Sequence, residues 1–347
     1  MKRAAGHRVR VLVVDDSLFM RAAIARLLAA DGRFDVVGQA RDGVEAVERV
    51  VALEPDVVTM DFNMPRWNGA EAVREIMARR PTPVLMFGAH TVEGARETFE
   101  ALAAGAVDFV SKPAGEVSAD LSAIAGELTA KLVAAAGSRP QALAALRQAK
   151  PARPALLTTW PPSGPRVLVI GVSTGGPSAL SRVIPALPAD IAFSVLIVQH
   201  MPANFTTTLA ERLNALSAVS VREARDGDRP IAGVVFIAPG DRHLEVSERG
   251  FLRLGDGPPV NGCRPSADVT MTGAARAFGA RSIGLVMTGM GRDGAAGLAA
   301  IHRADGVTLA QDQATSVIFG MPKAAIDTGA VDEVLPLDRI ARRLQEL

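Results

Sequence analysis

One recurring pattern constrains the fold more than any other: a short apolar run ending on a charged or glycine residue, then a stretch with helical spacing. VRVLVV (Val9–Val14) is the first such run. Behind it, Ser17 to Ala30 places Phe19, Ala22, Ile24 and Leu27 among its apolar positions. FDVVGQA (Phe34–Ala40), PDVVTMD (Pro55–Asp61), PVLMFG (Pro83–Gly88) and AVDFVSK (Ala106–Lys112) continue the strand series. Helices are predicted over Gly43–Leu53 and from roughly Ala119 to Ala136. Apolar strands alternating with helices predict parallel βαβ units and a doubly wound α/β sheet.

The rhythm breaks near Gly137. Pro140, Pro151, Pro154, Pro161, Pro162 and Pro165 crowd the next stretch. Apart from a short helix over Gln141–Gln148, it reads as a linker. The βα rhythm restarts with VLVIG (Val167–Gly171), FSVLIVQ (Phe193–Gln199), GVVFIAP (Gly233–Pro239) and SIGLVMTG (Ser282–Gly289). The expectation is two α/β domains, 8–131 and 166–347, joined by a linker over 132–165. A chain of 347 residues lets each bury its own core.

Composition narrows the function classes. Apolar residues make up 48% of the chain, too many for a disordered one. A net charge of +1 gives no nucleic-acid footprint. Cys263 is the only cysteine, so an internal disulfide and a CxxC metal site are both excluded, and a reducing compartment is expected. The basic start is followed by only four apolar residues before Asp15 and Asp16, so it does not read as a signal peptide. No run of about 18 uncharged apolar residues predicts a membrane span. These readings predict a cytoplasmic protein without membrane insertion or a nucleic-acid partner.

Ligands of doubly wound sheets bind beyond the carboxyl ends of the strands. Asp15 and Asp16 end the first strand, Asp61 the third, and Lys112 the fifth, with Pro113 after it. Three carboxylates at one edge repel unless a cation joins them, and Mg²⁺ suits hard oxygen ligands and phosphate oxygens. An ionised Asp can attack phosphorus, with Lys and Mg²⁺ stabilising the developing charge. An Asp-Asp pair alone would read as a helix cap. Its joint placement with Asp61 and Lys112, in a chain with only five lysines, favours phosphoryl transfer.

VLVVDDS (Val11–Ser17), MDFNMPRWNG (Met60–Gly69) and FVSKP (Phe109–Pro113) resemble the response-regulator receiver family over about Arg8 to Lys131. The resemblance implies a flavodoxin-like (βα)5 fold and phosphorylation of Asp61. It also implies Mg²⁺ held by Asp16, Asp61 and the backbone carbonyl of Asn63 with help from Asp15, and a phosphoryl contact from Lys112. One departure stands out. Such domains place a Ser or Thr after strand four to bind the phosphoryl group, and that position here is Gly88. Thr91 and His90 are the nearby alternatives. Phe109 stands where an aromatic switch residue is usual, and a core role suits it equally.

In the second half, Gly171–Val172–Ser173–Thr174–Gly175 fits G-x-S-x-G between a strand and a helix, where a sharp turn exposes a serine hydroxyl. The helix N-terminal amides beside it suit an oxyanion. Taken alone, the motif also fits a phosphate-binding glycine turn or a plain loop. A dinucleotide fingerprint would need glycine in place of Ser173, and Gly-Lys-Ser/Thr is absent, so neither nucleotide motif is met. Of five histidines, His200 closes FSVLIVQH at the same sheet edge as Ser173, where a general base must stand. His243 is a further candidate to line a pocket, whereas His7, His90 and His302 suit ordinary roles. Asp293, in the glycine-rich turn TGMGRDGA, is placed to fix the His200 tautomer. Its alternative role is an N-cap for the helix that starts near Gly294. The chain order Ser, His, Asp differs from the Ser, Asp, His of α/β-hydrolases.

IGVSTGGP (Ile170–Pro177), VQHMPANFT (Val198–Thr206), IAPGDRH (Ile237–His243), RPSADV (Arg264–Val269), TGMGRDGAAG (Thr288–Gly297) and FGMP (Phe319–Pro322) resemble the bacterial chemotaxis protein-glutamate methylesterase (CheB) family over about Arg166 to Leu347. The resemblance implies a Ser173–His200–Asp293 triad, with an oxyanion hole from the backbone N–H groups of Thr174 and Met290. It implies no cofactor for the hydrolase chemistry. Its substrates would be methyl-accepting chemoreceptors, as glutamate methyl esters and glutamines, and its phosphodonor the chemotaxis histidine kinase. Cys263 stands where a His before Arg-Pro-Ser is common in that family.

Overall fold

The structure is a computed structural model, and it describes residues 8–88, 91–112, 121–138 and 166–347. His7, His90, Pro113, the expected helix over 141–148 and most of the expected linker lie outside them. The chain divides into two compact units, Met1–Arg147 and Gln148–Leu347.

The first unit runs β1 (Val9–Val14), α1 (Leu18–Ala30), β2 (Phe34–Ala40), α2 (Gly43–Leu53), β3 (Val57–Asp61), α3 (Gly69–Arg79), β4 (Val84–Gly88), α4 (Val92–Ala104), β5 (Asp108–Ser111) and α5 (Ser122–Ala136). Its sheet has the order β2-β1-β3-β4-β5, with every pairing parallel. Val11, Leu12, Val58, Leu85 and Val110 are wholly buried, because helices cover both faces. The register pairs Val14 with Met60, Asp61 with Phe87 and Gly88 with Ser111. The chemistry-bearing strand ends are therefore level, and the order reverses between β1 and β3, where Asp15 and Asp61 stand. Ser17 is the cap of α1, its Oγ accepting from Met20 N at 3.3 Å. That frees the Asp pair from a capping role.

The second unit runs β6 (Arg166–Val172), α6 (Gly176–Val183), β7 (Phe193–Gln199), α7 (Ala203–Leu216), β8 (Ser220–Glu223), β9 (Val234–Ile237), β10 (His243–Val246) and β11 (Leu252–Gly255). It continues with α8 (Ala267–Phe278), β12 (Ser282–Val286), α9 (Ala295–Arg303), β13 (Val307–Gln311), α10 (Met321–Ile326), β14 (Glu333–Leu335) and α11 (Leu337–Gln345). A seven-stranded parallel sheet takes the order β14-β13-β12-β6-β7-β9-β8. β10 and β11 form a separate antiparallel hairpin. β8, β13, β14 and the hairpin add to the strands legible in the sequence. Strand β12 ends at Val286, earlier than expected, because Met287 to Gly294 leave the sheet for a loop. Chain order reverses across β6, so the loops after β6, β7 and β12 meet at the switch point. No helix among the described residues is long and apolar enough to cross a membrane.

Candidate active site

Ser173 follows β6 directly, in a turn that glycine permits. Gly175 has φ +79°, and a Cβ there would lie 2.7 Å from Val317. A side chain at Gly176 would collide with Gln199. That glutamine ends β7 and donates through Nε2 to Ser173 O at 3.0 Å and to His200 O at 3.3 Å. His200 N in turn donates to Val172 O at 3.2 Å. The serine turn and the histidine are thus tied through the backbone.

The third loop approaches Ser173 from β12. Ser173 N donates to Thr288 O at 3.0 Å, and Thr288 Oγ1 donates to Thr174 O at 2.9 Å. A Cβ on Gly289 would lie 2.8 Å from Ser173 Cβ and 3.1 Å from Ser173 N. Only glycine at 289 lets the two loops come this close. The side chain of Met290 is 40% exposed, and Thr174 is buried.

His200 Nε2 lies 2.8 Å from Asp293 Oδ2. The carboxylate is 1% exposed, and its remaining capacity is filled from the start of α8. Ser266 Oγ donates to Oδ1 at 2.6 Å, Ala267 N to Oδ2 at 2.6 Å, Asp268 N to Oδ1 at 3.2 Å and Asn261 Nδ2 to Oδ1 at 3.3 Å. Asp293 therefore binds the N-terminus of a neighbouring helix, α8, where the dipole favours an anion; α9, its own helix, is capped by Gly294 without a side-chain bond. Burial alone would push the Asp293 carboxyl up. The hydrogen bond and charge of His200, with those of Ser266 and Ala267, win and hold it at about 2. Burial likewise works against a charged His200, yet the hydrogen bonds and charges of Asp293 and Cys263 push it up to about 9.

Asp293 holds Nε2, which leaves Nδ1 as the other ring nitrogen. The described hydrogen bonds join His200 to Asp293 but do not join Ser173 Oγ to His200. What Nδ1 meets is Cys263 Sγ, at 3.6 Å. Cys263 thus stands at the His200 ring itself, where the sequence suggested only a departure from the family. His243 is buried at the start of β10 with Nε2 3.0 Å from Pro258 O, and it packs the hairpin. His302 Nδ1 lies 3.2 Å from Asp332 on the surface. Gln199, Asn261 and Ser266 escaped the sequence reading. Ser266 looks like a helix cap, and its donation to a carboxylate 27 positions away leaves no local pattern.

In the first unit, one carboxylate oxygen from each of Asp15, Asp16 and Asp61 lies within 4.8 Å of the others. Lys112 Nζ lies 3.0 Å from Asp15 Oδ2 and 2.9 Å from Asp61 Oδ1. Burial is the main influence on Asp61. Lys112 opposes it and Asp15 adds to it, and the carboxyl is pushed up to about 6. One ammonium is too little for three carboxylates, and this hard oxygen donor set fits a divalent cation such as Mg²⁺. Asn63 Nδ2 donates to Glu97 at 3.1 Å. Phe109 is buried, with Lys131 Nζ 5.2 Å from its ring centroid. Thr91 caps α4, accepting from Gly94 N at 2.9 Å. A Cβ on Gly88 would lie 3.2 Å from Thr98 Oγ1 of α4.

A receiver-type unit with an acidic pocket, followed by an α/β unit with serine, histidine and aspartate at one switch point, defines a response regulator with a hydrolase-type output. Residues 11–122 match the response regulator receiver domain model, and residues 168–344 match the CheB methylesterase model. The chain is 50% identical over 344 residues to a protein-glutamate methylesterase/protein-glutamine glutaminase of Symbiobacterium thermophilum, covering 96% of this chain and 95% of that one. It is 45% identical over 339 residues to the Pyrococcus horikoshii protein of that name, covering 96% and 92%. The crystal structure of the Thermotoga maritima CheB methylesterase catalytic domain matches at 41% identity with a TM-score of 0.52, covering 53% of this chain and 99% of that one. The chain belongs to the CheB methylesterase family.

Proposed function

We propose that the chain is a phosphorylation-regulated protein-glutamate methylesterase and protein-glutamine glutaminase that acts on chemoreceptors in chemotaxis adaptation. The 2.8 Å His200–Asp293 contact beside the Ser173 turn carries the reading of the chemistry. The full-length relatives carry the reading of the substrate.

In this reading Ser173 Oγ attacks the ester carbonyl while His200 Nδ1 takes its proton. Asp293 holds Nε2–H and stabilises the imidazolium. The backbone N–H groups of Thr174 and Met290 receive the oxyanion. Collapse expels methoxide, which leaves as methanol with the proton from His200. Water, deprotonated by His200, then opens the acyl-serine and frees the glutamate carboxylate. A glutamine amide follows the same path with ammonia leaving. None of these steps calls on a cofactor.

Asp61 is the phosphoacceptor, with the chemotaxis histidine kinase as donor, and Lys112 contacts the phosphoryl group. Asp15, Asp16, Asp61 and the carbonyl of Asn63 would hold Mg²⁺, which when bound neutralises charge on phosphoryl oxygens. The receiver spans 8–131, a linker 132–165 and the catalytic domain 166–347, in a cytoplasmic protein. The test is methanol release from methylated receptors with and without acetyl phosphate and Mg²⁺. Release that Ser173→Ala leaves intact would overturn the triad. Release indifferent to acetyl phosphate would overturn the regulation.

A further inference from the structure

His200 has two ring nitrogens, and both are engaged. Asp293 Oδ2 takes Nε2 at 2.8 Å, and the thiol of Cys263 stands 3.6 Å from Nδ1. Carboxylate, imidazole and thiol form one chain of contacts. Cys263 is half-buried and is pinned by a two-way backbone bridge with Val260, at 2.9 and 3.0 Å. Its sulfur is therefore held at the ring by the β11–α8 segment. The other titratable group near this row is Asp268, on the first turn of α8. Its carboxylate accepts from Asn261 Nδ2 at 2.7 Å and Gly297 N at 2.6 Å, and it faces Asp293 rather than His200. Cys263 and Asp293 are thus the ionisable groups that meet the ring.

We propose, on the basis of the Ser173–His200 reading above, that Cys263 is a positioning residue of this hydrolase: its thiol holds His200 Nδ1 at rest and must yield to the Ser173 hydroxyl before the base can act, so that Cys263 sets the pH at which ester hydrolysis turns on. The chemistry is a single proton shift. The thiol S–H donates to neutral Nδ1, and transfer of that proton leaves a thiolate and an imidazolium. The imidazolium has no lone pair for the serine proton. A thiolate at 3.6 Å favours the charged ring, and the upward push on His200 comes partly from this sulfur. A residue without an ionisable group at 263 removes that push, so neutral His200 persists at lower pH.

The experiment compares the full chain with Cys263→Ser and Cys263→Ala by the pH profile of kcat/KM for methyl-ester hydrolysis, and with His200→Gln by the pH profile of iodoacetamide alkylation. Cys263 is the only cysteine, so the alkylation signal has one source. In Cys263→Ala the acidic limb of kcat/KM moves down by about half a pH unit or more, which is about a threefold gain on that limb. The high-pH plateau stays in place. Cys263→Ser, which hydrogen-bonds without ionising, shifts in the same direction, and it carries the test if the alanine variant does not fold. Alkylation of the wild type reports the contact between the Cys263 sulfur and His200, and His200→Gln changes its rate. Profiles for the variants that superimpose on the wild type overturn the proposal, as does alkylation that His200→Gln leaves unchanged. The alkylation arm needs no hydrolysis, so failure of the Ser173 reading is visible separately, through the activity of Ser173→Ala.

Discussion

Asp293 meets His200 at Nε2, 2.8 Å away, and at the same time binds the first turn of α8 through Ala267 N at 2.6 Å. One carboxylate thus orients His200 and caps a helix. In the reading proposed above, the serine would approach the opposite nitrogen, Nδ1, in place of the Nε2 used by chymotrypsin-type triads.

The two roles separate by substitution. Asp293→Asn keeps the shape but loses the charge that selects the tautomer, so kcat falls roughly 10³- to 10⁴-fold. Asp293→Ala also strips partners from Ser266, Ala267 and Asn261, and it costs in addition about 1–3 kcal/mol of stability. Methanol release and thermal unfolding, measured on both variants, check the division. Equal unfolding midpoints for Ala and wild type would show that the capping bonds contribute nothing.

The pair sets a stability window. Asp293, held at about 2, contributes stability that is present above its unfolded value near 4 and lost as pH falls through about 2. His200, pushed up to about 9, contributes stability that is present below its unfolded value near 6.5 and lost as pH rises through about 9. Unfolding of the second unit should be most resistant between these limits. In His200→Gln the alkaline loss should disappear, which chemical denaturation across pH measures.

The Asp61 carboxyl of the first unit behaves differently. Burial pushes Asp61 up to about 6, and attack on phosphorus needs the ionised form. Without Mg²⁺ the Asp61 carboxyl should titrate near pH 6, and bound Mg²⁺ should move that titration lower. Lys112 is the group that opposes the rise, so Lys112→Ala should move the metal-free titration to higher pH. NMR titration of the Asp61 carboxyl with and without Mg²⁺ reads both effects, and a metal-free wild-type midpoint near the ordinary value of about 4 would contradict them.

Gly88 offers a gain-of-function test. A Cβ there would sit 3.2 Å from Thr98 Oγ1, a tight fit that a small shift of the threonine relieves. Gly88→Ser places a hydroxyl one residue beyond Phe87, the β4 residue level with Asp61, and should raise the acetyl phosphate stimulation of ester hydrolysis several-fold. Unchanged stimulation would mean that the missing hydroxyl does not limit coupling.

Much was legible in one dimension because parallel strands buried on both faces announce themselves as apolar runs. Val9–Val14, Phe34–Ala40 and Phe193–Gln199 run from end to end as read. Each chemistry-bearing residue follows a strand, so Asp61, Lys112, Ser173, His200 and Asp293 could be assigned to sheet edges from the βα alternation alone. Short strands such as β8 and β14, of four and three residues, carry too few side chains for a pattern.

What the amino-acid order determined by itself was the two-unit α/β plan and the residues able to do chemistry at the strand ends, because both follow from local periodicity. Only the tertiary structure decided which atom of His200 faces which partner. That depends on α8, on Asp293 reaching it from another loop, and on Cys263 arriving at Nδ1 from 63 positions away. Such contacts arise from packing between segments distant in the chain, and no spacing within a segment encodes them.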